Sequence, residues 1–260
     1  MSVVNSRLTW LVAVALATCA CSTSASVGSN STNPEALASS AAVRTLDAGR
    51  LDSLPTGLVY IRMIRFTSPP GYVIKSKQHV PSVVFVATGV HRLTLDGQPP
   101  IDLVAGQARF HQSVAHTHVN TGPDPSVWYS IAIWPSSARG QPLVDKVAQP
   151  AFESADIARD ALPQVAYSQV LRQVELAEGG RTGAHRFGGL SALFVLSGSV
   201  SVRSAHRPQL TLGVGQGAAF LPGVALQEVN AGPGQAVFLE FVTTAVGTEF
   251  DVPLQQPPAT

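Results

Sequence analysis

Val83-Val84-Phe85-Val86-Ala87-Thr88-Gly89 returns 109 positions later as Ala192-Leu193-Phe194-Val195-Leu196-Ser197-Gly198. Each stretch is a short apolar run, rich in Val, Leu and Phe, that stops at a small polar residue and a glycine. Such a run reads as a buried strand ending in a turn. Outward from this pair, Asn120-Thr121-Gly122-Pro123 is repeated 110 positions on as Asn230-Ala231-Gly232-Pro233, and Gly71 is matched by Gly179. Three anchors in one order, drifting by single residues, are the trace of a duplicated domain with small loop insertions.

The remaining segments fit this reading. Strand-like stretches in the first copy are Leu58–Phe66, Val83–Val86, His91–Leu95, Ala108–Phe110 and Val127–Trp134. The second copy offers Tyr167–Leu176, Leu193–Leu196, Val200–Arg203, Ala218–Leu221 and Ala236–Thr243. Pro-Pro-Gly, Asp-Gly and Gly-Pro turns separate them, and Asp96-Gly97 is a hairpin signal. Many short strands with turns and almost no helix predict an all-β fold of two small sandwiches or barrels. The expected organisation is a signal peptide over 1–20, a flexible tether over 21–54, and a first barrel over 55–137. A linker follows over 138–163, then a second barrel over 164–246 and a disordered tail over 247–260. Within the linker, Phe152 to Leu162 shows helical spacing between Pro150 and Pro163, which predicts one connecting helix.

Composition removes several classes of function. The chain has 260 residues, 45% hydrophobic and only 13% charged, with net charge +1. It has no basic cluster, so neither nucleic acid nor an anionic membrane is an expected partner. Both cysteines, Cys19 and Cys21, lie at the end of an N-terminal apolar run that follows Arg7. This is a secretory signal too short to be a convincing membrane span. It resembles a bacterial lipoprotein processing site, with lipidation at Cys21, or alternatively Cys19; an ordinary signal cleaved near Ala25 is the other reading. The expected location is the bacterial cell envelope, lipid-anchored or periplasmic or extracellular, with membrane contact only through the anchor. The body beyond Cys21 contains no cysteine, which excludes disulfides and thiol catalysis there.

The spacing of the second copy resembles the cupin family. Gly179, five residues, His185-Arg186-Phe187, three residues, Ser191, six residues and Gly198 follow the family's first motif. Pro222-Gly223-Val224, with Leu226 at the His position, and Asn230 follow its second. In the first copy Gly71, then Lys77-Gln78-His79, Ser82 and Gly89 stand for the first motif, and His116-Thr117-His118-Val119-Asn120 for the second. The resemblance implies a bicupin: two tandem antiparallel jelly-roll barrels, each able to hold a metal or small molecule, with a homodimer plausible for the family. It also implies a usual ligand set of three His and one Glu, and the Glu position is Ser in both copies.

Five of the seven His fall in the first copy: His79, His91, His111, His116 and His118. Residues two apart on a strand share a face, so His116, His118 and Asn120 are expected to point together, with His79 completing a three-His set. A divalent Fe, Mn, Ni or Zn ion on His79, His116 and His118 is therefore a candidate, against polar pocket lining or surface as the alternative. Lys77 at a ligand position would oppose a cation. At its motif positions the second copy keeps one imidazole, His185, with Phe187 and Leu226 expected to make its interior apolar and metal-free. The candidate pocket residues are Lys77, Ser82, Asn120, His185, Phe187, Leu226 and Glu240. Glu240, in Phe238-Leu239-Glu240-Phe241, is an acid/base candidate if it points inward and an ordinary solvated side chain if outward. No catalytic residue is assigned. The leading functional expectation is an exported binder of a small molecule with a degenerate metal site; the alternative is a metal-dependent dioxygenase or isomerase using a non-standard His site in the first barrel.

Overall fold

Both repeated runs become central strands, and both have two buried faces. The computed structural model describes residues 39–143, 145–158, 162–205, 208–256 and 258. In the first half the strands are β2 (Val59–Ser68), β3 (Val73–Ser76), β4 (Ser82–Thr88), β5 (Val90–Leu95), β6 (Ile101–Val104), β7 (Ala108–His111), β8 (His116–Val119) and β9 (Ser126–Pro135). The second half repeats them in order as β11 (Tyr167–Leu176), β12 (His185–Phe187), β13 (Leu190–Ser197), β14 (Ser199–Ser204), β15 (Leu210–Gly213), β16 (Gly217–Phe220), β17 (Ala225–Asn230) and β18 (Ala236–Ala245). Three further strands are β1 (Ala41–Leu51), β10 (Ala148–Glu153) and β19 (Asp251–Pro253).

Each half is a two-sheet barrel. The first combines β10-β2-β9-β4-β7 with β3-β8-β5-β6; the second combines β1-β11-β18-β13-β16 with β15-β14-β17-β12-β19. Alternation along the strands sorts the side chains. Val84 and Val86 of β4 point into the first barrel with Phe66, Leu93 and Trp128. Leu193 and Val195 of β13 point into the second with Phe187, Leu226 and Phe238. The intervening residues, Val83 and Phe85, face Ala192, Phe194 and Phe241 across a shared core, so the five-stranded sheets pack back to back. A sheet covered on both faces needs continuous apolar runs, which is what the repeated stretches are.

The repeat glycines close these strands for a steric reason. Gly89 and Gly198 have φ of 79° and 74°. A Cβ at Gly89 would lie 2.9 Å from Ser126 Cα, and one at Gly198 would lie 2.8 Å from Ala236 Cα. Only glycine accepts both the left-handed turn and the approach of the neighbouring strand.

Three expectations are corrected. The stretch read as a helix from Phe152 contains the end of β10, paired antiparallel with β2, and Ile157 then bridges Val59. The free edge of β2 takes an extended partner, and Pro150 is tolerated because it lies on an edge strand beside a bulge. The only helical element near the linker among the described residues is one 3-10 turn at Ser136–Ala138. The segment expected to be tether through residue 54 contains β1, paired with β11 from Ala41 to Leu51. The tail expected to be disordered contains β19, which pairs with β12. Cys19, Cys21 and the signal segment lie outside the described residues.

Candidate metal centre

In the first barrel, three imidazoles converge with their hydrogens turned away from one another. His79 Nδ1 donates to the Val80 carbonyl at 2.6 Å, His111 Nδ1 to Gln112 at 2.9 Å, and His116 Nδ1 to Val114 at 2.8 Å. A carbonyl oxygen only accepts, so each Nδ1 carries its ring's hydrogen and each Nε2 presents a lone pair. His79 Nε2 lies 3.3 Å from His116 Nε2, and one nitrogen from each of the three rings lies within 4.8 Å of the others. Ser82 Oγ donates to His111 Nε2 at 2.8 Å, a bond a hydroxyl rotor can give up.

Two facing lone pairs at 3.3 Å repel unless a positive charge sits between them. A proton is disfavoured, because burial lowers the affinity of all three rings, His111 to about 4 and His79 and His116 below the ordinary 6.5. Two nitrogens bound at about 2.0–2.1 Å to one tetrahedral zinc ion stand about 3.3–3.4 Å apart. The residues therefore fit a divalent metal, with the main-chain carbonyls of Val80, Gln112 and Val114 holding each ring's tautomer and orientation through Nδ1.

His118, expected as the third ligand, is placed elsewhere. Its Nδ1 lies 2.9 Å from His91 Nε2, and its ring stacks on Trp128 with centroids 4.4 Å apart. Burial holds His91 at about 3 and His118 well below 6.5, so this is a neutral pair packed in the core. His79 joins the trio to a cavity of about 340 Å³ that is also lined by Trp128, Trp134, Arg62, Lys75 and Lys77. Lys77 is exposed and lines this cavity. Strand register explains why it is not at a ligand position. Ser76 pairs with His116 as His185 pairs with Leu226, so Ser76 is the counterpart of His185.

Asn120, expected in the pocket, is a turn lock. Its Nδ2 donates to the carbonyls of Ser68 and Asp124, both at 2.8 Å, and its Oδ1 accepts from Gly122 N–H at 2.9 Å. Asn230 repeats the arrangement with Leu176, Ala177, Gly234 and Gly232.

The second barrel holds a different constellation. Phe187 and Leu226 belong to its apolar core as expected of their type. Glu240 points inward and is buried, which settles the two orientations weighed for it. Its Oε2 accepts from Arg172 Nε at 2.8 Å, and Arg172 Nη1 reaches Asp251 at 3.2 Å. Burial pushes the Glu240 carboxyl up to about 7 against the pull of Arg172, with the charge of Glu228 adding to the rise. His185 Nδ1 donates to the Gly183 carbonyl at 2.9 Å. Burial alone would lower His185, but Glu228 and that carbonyl outweigh it and the net shift is upward. A cavity of about 310 Å³ reaches His185, Glu240, Arg172 and Asp251.

A scan against protein-family models and a search of curated proteins return no match. Among solved structures, the chain is similar to AerE from Microcystis aeruginosa, with TM-score 0.52 and 14% identity over 76% of this chain and 98% of that one. It is also similar to the oxalate decarboxylase of Lactobacillus farciminis in its formate complex, with TM-score 0.56 and 11% identity over 82% of this chain and 88% of that one. The Bacillus subtilis oxalate decarboxylase matches at TM-score 0.56 and 10% identity, covering 82% and 79% of the two chains. The fold is that of a bicupin.

Within this bicupin the two interiors have diverged in opposite directions. Paired register aligns His91, His111 and His116 with Val200, Phe220 and Leu226, so the first barrel has imidazoles where the second has hydrocarbon. It aligns Ile64, His118 and Ser130 with Arg172, Glu228 and Glu240, so the second barrel has charges where the first has neutral groups. His111, Glu228 and Arg172 are functional candidates that spacing to the repeat glycines does not reveal. Glu228 lies two residues before Asn230, as His118 does before Asn120, so strand alternation carries its signal.

Proposed function

We propose that this protein is an exported, metal-binding bicupin that captures a small organic acid beside a three-imidazole centre in its first barrel. The observation behind this reading is the convergence of the His79, His111 and His116 lone pairs. Those three residues would hold the ion, and imidazole ligands suit Zn, Fe or Ni. When bound, such an ion acts as a Lewis acid toward a carbonyl or carboxylate oxygen. The adjoining cavity supports an anionic, planar ligand: Lys75 and Lys77 line it with Trp128, Trp134 and an Arg62 already paired with Glu153 at 3.1 Å, and no Asp or Glu does among the described lining residues. The Lactobacillus farciminis neighbour carries formate, a small carboxylate.

The test is metal content by elemental analysis, with fold checked by circular dichroism. His116→Ala and His111→Ala are each expected to lose one equivalent relative to the wild type, whereas His118→Ala keeps it. Unchanged content in His111→Ala and His116→Ala defeats the reading. Calorimetry against small mono- and dicarboxylates and phenolic acids then tests the ligand class, with Lys77→Ala expected to weaken the best binder about 10-fold, or about 1.4 kcal/mol. The N-terminal sequence supports an envelope location with lipidation at Cys21. Cys21→Ser is expected to move the protein from the membrane fraction to the soluble one; no redistribution in that variant and in Cys19→Ser argues against an anchor.

A further inference from the structure

The second barrel presents three ligand-grade atoms that have no use in the apolar role expected of it. His185 has donated its Nδ1 hydrogen to Gly183, and its Nε2, also buried, has no hydrogen-bond partner. Glu228 is fully buried; its Oε2 accepts from Thr182 Oγ1 at 2.6 Å, and its Oε1 has no partner. Glu240 is the third member, with Oε2 held by Arg172. One ligand atom from each of the three lies within 4.8 Å of the others.

We infer that His185, Glu228 and Glu240 form a second divalent-cation site, on strand positions that differ from those of the cupin motif except at His185. Three physical arguments support it. An unpaired buried carboxylate oxygen and an unpaired buried imidazole nitrogen each cost free energy, a cost that coordination to an ion relieves. His185 Nδ1 stands 3.9 Å from Glu228 Oε2, beyond hydrogen-bond reach, and the mutual spacing within 4.8 Å suits ligands shared by an ion at about 2.0–2.2 Å. Glu228, Glu240 and Asp251 set three carboxyl groups around one guanidinium, Arg172, and one imidazole, His185, an acidic cluster that a divalent ion suits. Two carboxylates with one imidazole form a harder donor set than the trio of the first barrel and favour Mn²⁺ over the softer ions. Arg172 acts here as a positioning residue that turns Glu240 toward the site.

The experiment uses the full chain in a His79→Ala/His116→Ala background, which silences the first barrel. After chelation and dialysis, Mn²⁺ alone is titrated and free ion is read by electron paramagnetic resonance, with thermal melting in parallel. One equivalent is expected to bind and to raise the melting temperature. Adding Glu228→Gln or, separately, Glu240→Gln is expected to weaken binding about 100-fold, in line with the loss of a ligand or its support. Two separate variants are used so that one failing to fold leaves the other to decide. Uptake below about one tenth of an equivalent of Mn²⁺ and of Zn²⁺ in that background overturns the proposal. So does full uptake that neither Gln variant reduces. The two sites are told apart by stoichiometry: if the first-barrel reading fails, the background substitutions leave metal content unchanged while Glu228→Gln still removes it.

Discussion

Arg172 and Glu240 show how a single pair of positions separates the two barrels. Their side chains are 14% and 2% exposed and bonded to each other, and the first barrel holds Ile64 and Ser130 at the same places. Removing one member of a buried pair strands the other charge, which costs about 3–5 kcal/mol, whereas removing both is far milder. Arg172→Ile alone is therefore expected to lower unfolding free energy by that amount in denaturant titration. Arg172→Ile with Glu240→Ser, which copies the first barrel's pair, should recover most of it; a double variant no better than the single defeats this account. Residues of this kind were only partly legible in the sequence. His79, His116, His185 and Glu240 stand at readable distances from repeated glycines and asparagines. His111 was not readable as a ligand, because its place follows from β7 pairing with β4, which sets His111 beside Ser82. A one-residue change of register would turn it outward, and local sequence does not specify register. Asn120 misled in the other direction: strand alternation put it with His116 and His118, but its amide is consumed by the loop that it pins.

At the scale of elements, the repeat makes the two barrels exchange strands. β1 precedes the first barrel yet extends the second barrel's sheet, and β10, which precedes the second, extends the first barrel's. β1 also grips the first barrel directly. Asp47 Oδ2 accepts from Phe110 N–H at 2.6 Å, Gln112 donates to the Arg50 carbonyl at 2.7 Å, and Gly49 packs where a Cβ would strike the Phe110 ring. A chain beginning at residue 39 keeps β1 whole and serves as the reference. One beginning at residue 53 loses the ladder to β11 and these clamps, exposes a long strand edge, and should melt at least about 10 °C lower or aggregate. Equal melting of both truncations by calorimetry contradicts the role assigned to β1. Neither exchanged strand was legible. β1 is Ala-, Arg- and Gly-containing with little alternation, and β10 sits in a stretch whose apolar spacing fits a helical turn as well as a strand. Partner edges decided both, and a partner edge is tertiary information. The long central strands were legible because burial on both faces leaves a continuous apolar run that no helix of that length needs.

For the whole molecule, the two interiors pull stability in opposite directions as pH changes. In the first barrel His79, His91, His111, His116 and His118 are all lowered by burial, His91 to about 3 and His111 to about 4. Unfolded, each titrates near 6.5, so below that pH the unfolded chain binds protons that the native barrel refuses. Their stabilising contribution is full above pH 6.5 and falls as pH drops toward 4. In the second barrel Glu240 is raised to about 7 and His185 is raised above 6.5, so native groups hold protons that the unfolded chain has released. Those contributions are present at low pH and are lost as pH rises, for Glu240 between 4.5 and about 7. Asp102 and Asp156, lowered through hydrogen bonds from Arg92 and Arg139, act only below 3.8 and leave this window untouched. Each group contributes a slope of up to about 1.4 kcal/mol per pH unit, so five imidazoles outweigh two opposing groups. Chelated protein is therefore expected to melt lower at pH 4.5 than at pH 7, by about 2–4 °C for each kcal/mol lost. His91→Val, the second barrel's choice at that position, should flatten the dependence, and Glu240→Gln should steepen it by removing an opposing slope. Melting temperatures that stay level from pH 7 to 4.5, or that respond to these variants with reversed signs, would show that the imidazoles are not held neutral by their burial.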